Sequence, residues 1–197
     1  MDMFDLIASR ARVSPDTLAV QDLADGTAYT YAELNVRAAR VAAAATGAWG
    51  LSSGARIAYL GHNRAEFFAL LFGCAKAGLI LVPLNWRLAV PELAALASDC
   101  TPGALIFGSE FAAQARELAA AHPAMVPVAL DGDAPPARSY QRDLAAARPD
   151  PAPHAERSPD TPWYLIYTSG TTGKPKGVIQ TFRMMMANYF NIGVAVG

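Results

Sequence analysis

The chain has few cysteines, few histidines and almost no net charge, and each shortage excludes a class of protein. Cys74 and Cys100 are its two cysteines and form no CxxC pair, and its three histidines are not clustered. We therefore expect neither a disulfide framework nor a zinc site, and interpret both cysteines as core thiols in a reducing compartment. The 16 basic and 17 acidic side chains give a net charge of −1, which argues against a nucleic-acid partner and a polybasic membrane patch.

The sequence also lacks a convincing export signal or membrane span. Its first residues are acidic where a secretory signal would be basic. The apolar stretch Phe67–Leu84, with Lys76 as its one charge, is long enough to cross a bilayer. However, Asn63 and Glu66 form a capping-box pattern that begins a helix, and Gly78 is a typical residue to end one. We therefore predict a helix followed by a strand here, no transmembrane segment, and a cytoplasmic location.

Helical and strand patterns alternate through the first 130 residues. Thr30 and Glu33, for example, form a capping box ahead of apolar residues at helical spacing. Helix–strand alternation predicts an α/β fold with a doubly wound, layered sheet and parallel strands. The predicted helices are 3–12, 31–45, 63–77, 91–98 and 109–121, and the predicted strands are 18–21, 28–31, 56–60, 79–82, 104–107 and 126–130.

The composition changes after residue 130. Residues 131–162 are rich in Asp, Pro and Ala, and only 140–147 have a helical pattern. Because so long a connection is uncommon inside a compact domain, we predict three parts. These are a first α/β subdomain at 1–130, a connection at 131–162, and the start of a second subdomain at 163–197.

A Gly-rich segment follows an apolar run at 163–167 that is typical of a buried strand. Residues 168–177 contain three glycines, four hydroxyl side chains and two of the chain's three lysines. Glycines allow backbone N–H groups to approach an anion, hydroxyls donate further hydrogen bonds, and lysines add charge, so the segment is suited to binding phosphate. It is not a P-loop, because Pro175 stands where the second glycine is required, and Gly170 and Gly173 do not have the dinucleotide-binding spacing.

Residues Tyr167–Gly177 match without exception the signature Tyr-Thr-Ser-Gly-Thr-Thr-Gly-x-Pro-Lys-Gly of the AMP-forming adenylating superfamily. This superfamily contains acyl- and aryl-CoA synthetases, peptide-synthetase adenylation domains and luciferases. The segments 30–34, 63–67 and 76–84 also resemble its landmarks in order and spacing. The resemblance implies the N-terminal portion of the large domain of such an enzyme, incomplete as given and inactive alone.

The resemblance also implies a reaction and a site. A carboxylic acid would attack the α-phosphorus of ATP to form an acyl-adenylate, and CoA would then displace AMP, with Mg²⁺ offsetting charge on the leaving pyrophosphate. Lys176 matches the family's fixed lysine and is the expected catalytic residue, whereas Lys174 falls at a variable position. No residue is assigned to a metal. The expected nucleotide-binding residues are Thr168, Ser169, Gly170, Thr171, Thr172, Gly173, Lys174 and Lys176.

The subclass is indicated by the segment Pro83–Leu88, which resembles acyl- and aryl-CoA synthetases and favours a fatty or aryl acid as substrate. One departure is that Gln180 and Phe182 stand where relatives often carry a histidine. We interpret His62 as a turn residue. The apolar helix face at 184–190 is interpreted as core packing or burial against further polypeptide.

Two alternatives remain open at this stage. The chain could be a truncated, non-catalytic module that binds a nucleotide or a partner, or the adenylation domain of a peptide synthetase. The sequence also leaves open a homo-oligomer.

Overall fold

The computed structural model describes residues 5–132, 135, 137–149, 158–168 and 175–196. The helices within them are α1 Leu6–Val13, α2 Tyr31–Thr46, α3 Ala65–Ala77, α4 Val90–Cys100, α5 Ala112–Ala121, α6 Tyr140–Ala146 and α7 Phe182–Val196. The strands are β1 Leu18–Gln21, β2 Ala28–Thr30, β3 Arg56–Leu60, β4 Ile80–Pro83, β5 Ala104–Phe107, β6 Val126–Ala129, β7 Arg138–Ser139, β8 Pro162–Thr168 and β9 Lys176–Thr181. A 3₁₀ turn at Ser109–Phe111 precedes α5.

A seven-stranded sheet forms the centre of the fold, in the order β7-β6-β5-β3-β4-β8-β9. Its strands are parallel from β7 to β8, and β9 closes one edge antiparallel to β8. From β3 the chain adds β4 on one side, then crosses to add β5, β6 and β7 on the other. The predicted α/β, doubly wound architecture is thereby confirmed.

Helices cover both faces of the sheet because side chains alternate along each strand. Ile57 and Tyr59 of β3 pack into a cluster with apolar residues of α2, α3 and α6. Ala58 and Leu60 point the other way, into a second cluster built with α4 and α5. The core therefore lies in two layers, one on each side of β3.

The helix ends show which of the predicted capping residues begin or end a helix in the structure. The capping box at α2 is confirmed, because Thr30 Oγ1 accepts from the Glu33 amide at 3.3 Å and Glu33 accepts from the Thr30 amide at 2.8 Å. Gly78 ends α3 in the left-handed conformation, with φ 69°. The predicted capping box at Asn63 is wrong, since Arg64 occupies the N-cap position without a side-chain cap. Arg64 instead directs its guanidinium to Asp131, at 2.7 Å.

Helix α3 is largely buried against the core, although Phe68 is 41% exposed. Lys76, on its last turn, is 5% exposed and forms a 2.7 Å ion pair with Asp5, which also caps α1. Among the described residues, no helix has both the length and the apolarity needed to cross a membrane. Cys74 and Cys100 are buried free thiols, as predicted, and burial raises the pKa of Cys74 to about 12.

The segment between residues 130 and 163 contributes to the sheet. β7 extends it beyond β6, and α6 packs against the core through Tyr140 and Leu144. β8 then returns to the opposite side and pairs with β4 at Leu81 and Tyr164. One sheet thus receives strands from all three predicted parts, and the division into subdomains stays a prediction.

Candidate functional site

The Gly-rich segment connects the two strands of the β8–β9 hairpin. Thr168 and Lys176 form the last pair before the loop, and the Thr168 hydroxyl donates to the Lys176 carbonyl at 3.5 Å. Both residues are exposed. The hairpin therefore places Thr168 directly opposite Lys176, eight positions further along the chain, and both side chains are exposed to solvent.

Two of the eight expected nucleotide-binding residues, Thr168 and Lys176, can be placed in this way. The others lie outside the described residues: Ser169, Gly170, Thr171, Thr172, Gly173 and Lys174. After the loop the chain continues as strand β9. The binding of phosphate by this segment stays a prediction.

The base of the hairpin is fixed by aromatic packing. Trp163 stacks on Phe182 with 5.2 Å between ring centroids and 4° between planes, and its indole N–H donates to the Leu71 carbonyl at 2.8 Å. Phe182 is 2% exposed. At this position, where the resemblance led us to expect a histidine, the side chain belongs to the core.

The rest of the hairpin is less buried than its composition indicates. Of residues 163–167, predicted to form a buried strand, only Trp163 is buried, and Ile166 is 42% exposed. The adjacent strand exposes Val178 and Ile179. The apolar composition of residues 163–167 correctly predicted a strand. The predicted burial was wrong, because burial also requires another element to pack over the strand, and the composition of the strand does not show whether one does.

Helix α7 continues this exposed apolar surface. Met185 packs against Trp163 and Phe182, whereas Tyr189 and Phe190 are 67% and 61% exposed. Among the described residues nothing buries Tyr189 and Phe190, so their interpretation as core residues is wrong. Burial against further polypeptide stays a prediction.

Sequence reasoning did not find the contact that joins the loop end of the hairpin to α4. Tyr167, next to Thr168, donates a hydrogen bond from its hydroxyl to Asp99 Oδ2. Burial, together with this bond to a carboxylate, raises the pKa of Tyr167 above its ordinary value. The two residues are 68 positions apart, so no local pattern could have indicated their pairing.

Other polar residues singled out by the sequence have structural surroundings. His62 lies in the connection between β3 and α3, packs edge-on against Trp86 at 4.5 Å between centroids, and approaches Glu110 at 3.8 Å. Its interpretation as a turn residue stays a prediction. The part of the chain that the structure describes contains no group of three or more His, Cys, Asp or Glu side chains able to hold a metal ion.

A doubly wound sheet that ends in a hairpin carrying this signature defines the N-terminal portion of an adenylate-forming enzyme's large domain. The chain belongs to the AMP-binding enzyme family, whose model matches residues 7–196.

Relatives and solved structures agree with this assignment. The chain is 40% identical over 177 residues to a fatty acid–[acyl-carrier-protein] ligase from Streptomyces coeruleorubidus, covering 90% of this chain and 32% of that protein. It is 39% identical over 183 residues to a feruloyl-CoA synthase from Amycolatopsis sp, covering 93% and 34%. A fatty acyl CoA synthetase structure from Mycobacterium tuberculosis superposes with a TM-score of 0.78 at 33% identity, covering 91% and 34%. The chain thus spans about a third of the length of these relatives.

Proposed function

We propose that this chain is the N-terminal part of a ligase that activates a carboxylic acid with ATP and transfers the acyl group to a thiol. The observation that carries the proposal is an uninterrupted signature, from Tyr167 to Gly177, within a chain that the family model matches at 7–196. The exposed Thr168–Lys176 pair flanks the loop on which the proposal depends.

In the proposed first step, a carboxylate oxygen attacks the α-phosphorus of ATP, the bond to the bridging oxygen breaks, and pyrophosphate leaves with that electron pair. Negative charge grows on the leaving group. Donors and cations held in place beforehand stabilise such charge, and one of them contributes about 3 kcal/mol in mutant series. We assign this electrostatic role to the Lys176 ammonium group and a hydrogen-bonding role to the Thr168 hydroxyl.

Mg²⁺ is expected from the resemblance, and no residue among those described is assigned to it. No part of the roles given to Thr168 and Lys176 depends on the ion.

The proposed substrate is a fatty or aryl acid and the proposed acceptor is CoA. Relatives named for a fatty acid and for feruloyl-CoA support the acid class. One of these relatives is named for an acyl-carrier protein and the other for CoA. The thiol of a carrier protein is therefore the alternative to CoA as acceptor. Because ATP and CoA are intracellular, we also propose a cytoplasmic location.

The two loop lysines offer a matched test of this proposal. In the full-length ligase that carries these residues, Lys176→Ala is expected to lower kcat/KM for acid-dependent ATP–pyrophosphate exchange by about 10²-fold or more. Lys174→Ala is expected to cost less than about 10-fold. Equal losses would contradict the separate roles of the two lysines. Full activity in both variants would refute phosphate binding by the loop.

A further inference from the structure

The contact between the β8–β9 hairpin and α4 lies beside the two described residues of the nucleotide site. Tyr167 directly precedes Thr168, and its hydroxyl donates to Asp99 in the last turn of α4. Thr168 is in turn paired across the hairpin with Lys176. A displacement of Tyr167 is therefore passed to Thr168 through one peptide unit and to Lys176 through the strand pairing.

The helix end that carries Asp99 is itself firmly held. Arg56, the first residue of β3, donates from Nε to the Cys100 carbonyl at 2.7 Å and from Nη2 to the Thr101 carbonyl at 3.0 Å. These bonds satisfy carbonyls that the helix leaves without an internal partner and place a cation at its negative end. Cys100 is buried in the core cluster beneath. Asp99 thus stands on an end of α4 that is joined to the middle of the sheet.

Where the hairpin meets α4, Leu165 and Tyr167 are partly buried against the core cluster that includes Leu96 and Cys100. Gly177, opposite Tyr167, contributes no side chain, and a Cβ atom there would come within 3.2 Å of Leu165. A groove of about 350 Å³ remains, lined in part by Leu165, Tyr167 and Ile179 together with the end of α4. At the base of the hairpin, by contrast, Trp163 is stacked and buried. The Tyr167–Asp99 hydrogen bond thus adds a directional polar contact to this partly buried packing, one residue before Thr168.

We propose that Tyr167 and Asp99 are positioning residues that hold the Thr168–Lys176 pair in place for the triphosphate of ATP. The proposal rests on the function proposed above, and neither side chain is assigned a contact with substrate. When the bond is absent, the loop end has more positions to sample, and ordering it on the nucleotide has an entropic cost. That cost affects the binding of ATP and leaves the binding of the acid unchanged.

The test uses steady-state exchange kinetics in the full-length ligase. Tyr167→Phe, which removes only the hydroxyl, is expected to raise KM for ATP by about 5- to 10-fold and to leave KM for the acid within about 2-fold. Asp99→Ala should match it, whereas Asp99→Asn retains an acceptor oxygen and should recover most of the affinity. The double variant Tyr167→Phe/Asp99→Ala should be no worse than Tyr167→Phe alone, because that variant already lacks the bond to Asp99.

A control at the opposite end of the same hairpin separates positioning from general stability. Arg183 pairs with Asp160 there through two bonds of 2.7 and 3.0 Å. Asp160→Ala removes this pair and should leave KM for ATP unchanged. Amide hydrogen exchange in the full-length ligase should be faster at residues 165–168 and 176–178 in Tyr167→Phe, and unchanged there in Asp160→Ala.

The outcomes distinguish this inference from the function on which it rests. If Tyr167→Phe leaves KM for ATP unchanged, or if Asp160→Ala raises it equally, while Lys176→Ala still lowers exchange, the positioning role alone is overturned. If Lys176→Ala also has no effect, the proposed function fails with it.

Discussion

A close contact between α2 and α3 gives a substitution whose effect can be worked out from distances. Gly73 lies within α3, where it faces α2. A Cβ atom added at Gly73 would lie 2.5 Å from Val41 Cγ1, 2.6 Å from Val41 Cβ and 3.0 Å from the Ala38 carbonyl oxygen. Two of these three atoms belong to the backbone or are bonded directly to it. Rotation of a side chain therefore cannot relieve the contact, and Gly73→Ala requires α2 and α3 to move apart.

Two opposing terms set the size of the effect. Alanine in place of glycine within a helix is favourable by about 1 kcal/mol. Overpacking of a close-packed core usually costs about 1–3 kcal/mol, and the involvement of α2 backbone places Gly73→Ala at the upper end. We expect a net loss of about 2 kcal/mol in the free energy of unfolding. For a domain of this size, that corresponds to a decrease in Tm of about 4–8 °C.

Gly108→Ala is the matched control. A Cβ atom there would come within 2.6 Å of Glu110 Oε2, an equally short distance, but the contact is with the end of a flexible side chain. Gly108 has φ −70°, which alanine adopts freely, so we expect a change of less than about 1 kcal/mol. Adding Val41→Ala to Gly73→Ala removes one of the short contacts and should restore part of the stability. Equal losses from Gly73→Ala and Gly108→Ala in urea unfolding would refute the reasoning.

Two further predictions concern pH and substrate. Burial favours the neutral form of Asp143, but hydrogen bonds from Arg138 and the Trp49 indole outweigh it and hold the pKa of Asp143 below its ordinary value. Asp143→Asn should therefore lower the free energy of unfolding near pH 7. This deficit should shrink as the pH falls below the ordinary pKa of an aspartate and disappear once the pH is below the lowered pKa of Asp143; a deficit independent of pH would contradict this. For the full-length ligase, kcat/KM should increase by about 4-fold per methylene along a straight-chain acid series until the pocket is full, as measured by AMP release with and without CoA. Preference for an α-amino acid would instead favour a peptide-synthetase adenylation domain.

Local signals predicted the elements of the fold well, because the forces that begin and end them act over a few residues. Thr30 and Glu33 cap α2 from within one turn, and Gly78 ends α3 by adopting a backbone conformation that other residues avoid. The same reasoning was wrong at Asn63, because Arg64 extends to Asp131 and the start of α3 is fixed by tertiary contacts.

Interactions between distant residues could not be predicted in this way. Helix–strand alternation implies parallel strands, but no local pattern indicates that β8 lies beside β4. The Trp49–Asp143 and Tyr167–Asp99 bonds join residues 94 and 68 positions apart. For the candidate site, the signature identified the loop, and the hairpin geometry brought Thr168 and Lys176 together. The partner on α4 became evident only from the structure.

The placement of the loop between two strands has an electrostatic consequence for the proposed chemistry. In P-loop and dinucleotide-binding folds, the phosphate-binding loop leads into a helix, and the N-terminal amides and partial positive charge of that helix bind the anion. Here the chain continues after the loop as β9, and α7 begins only at Phe182. The stabilisation that a helix N-terminus provides elsewhere must then come from the loop's own donors and from its lysine ammonium groups. This is the physical reason for expecting a steep loss of activity when Lys176 is replaced.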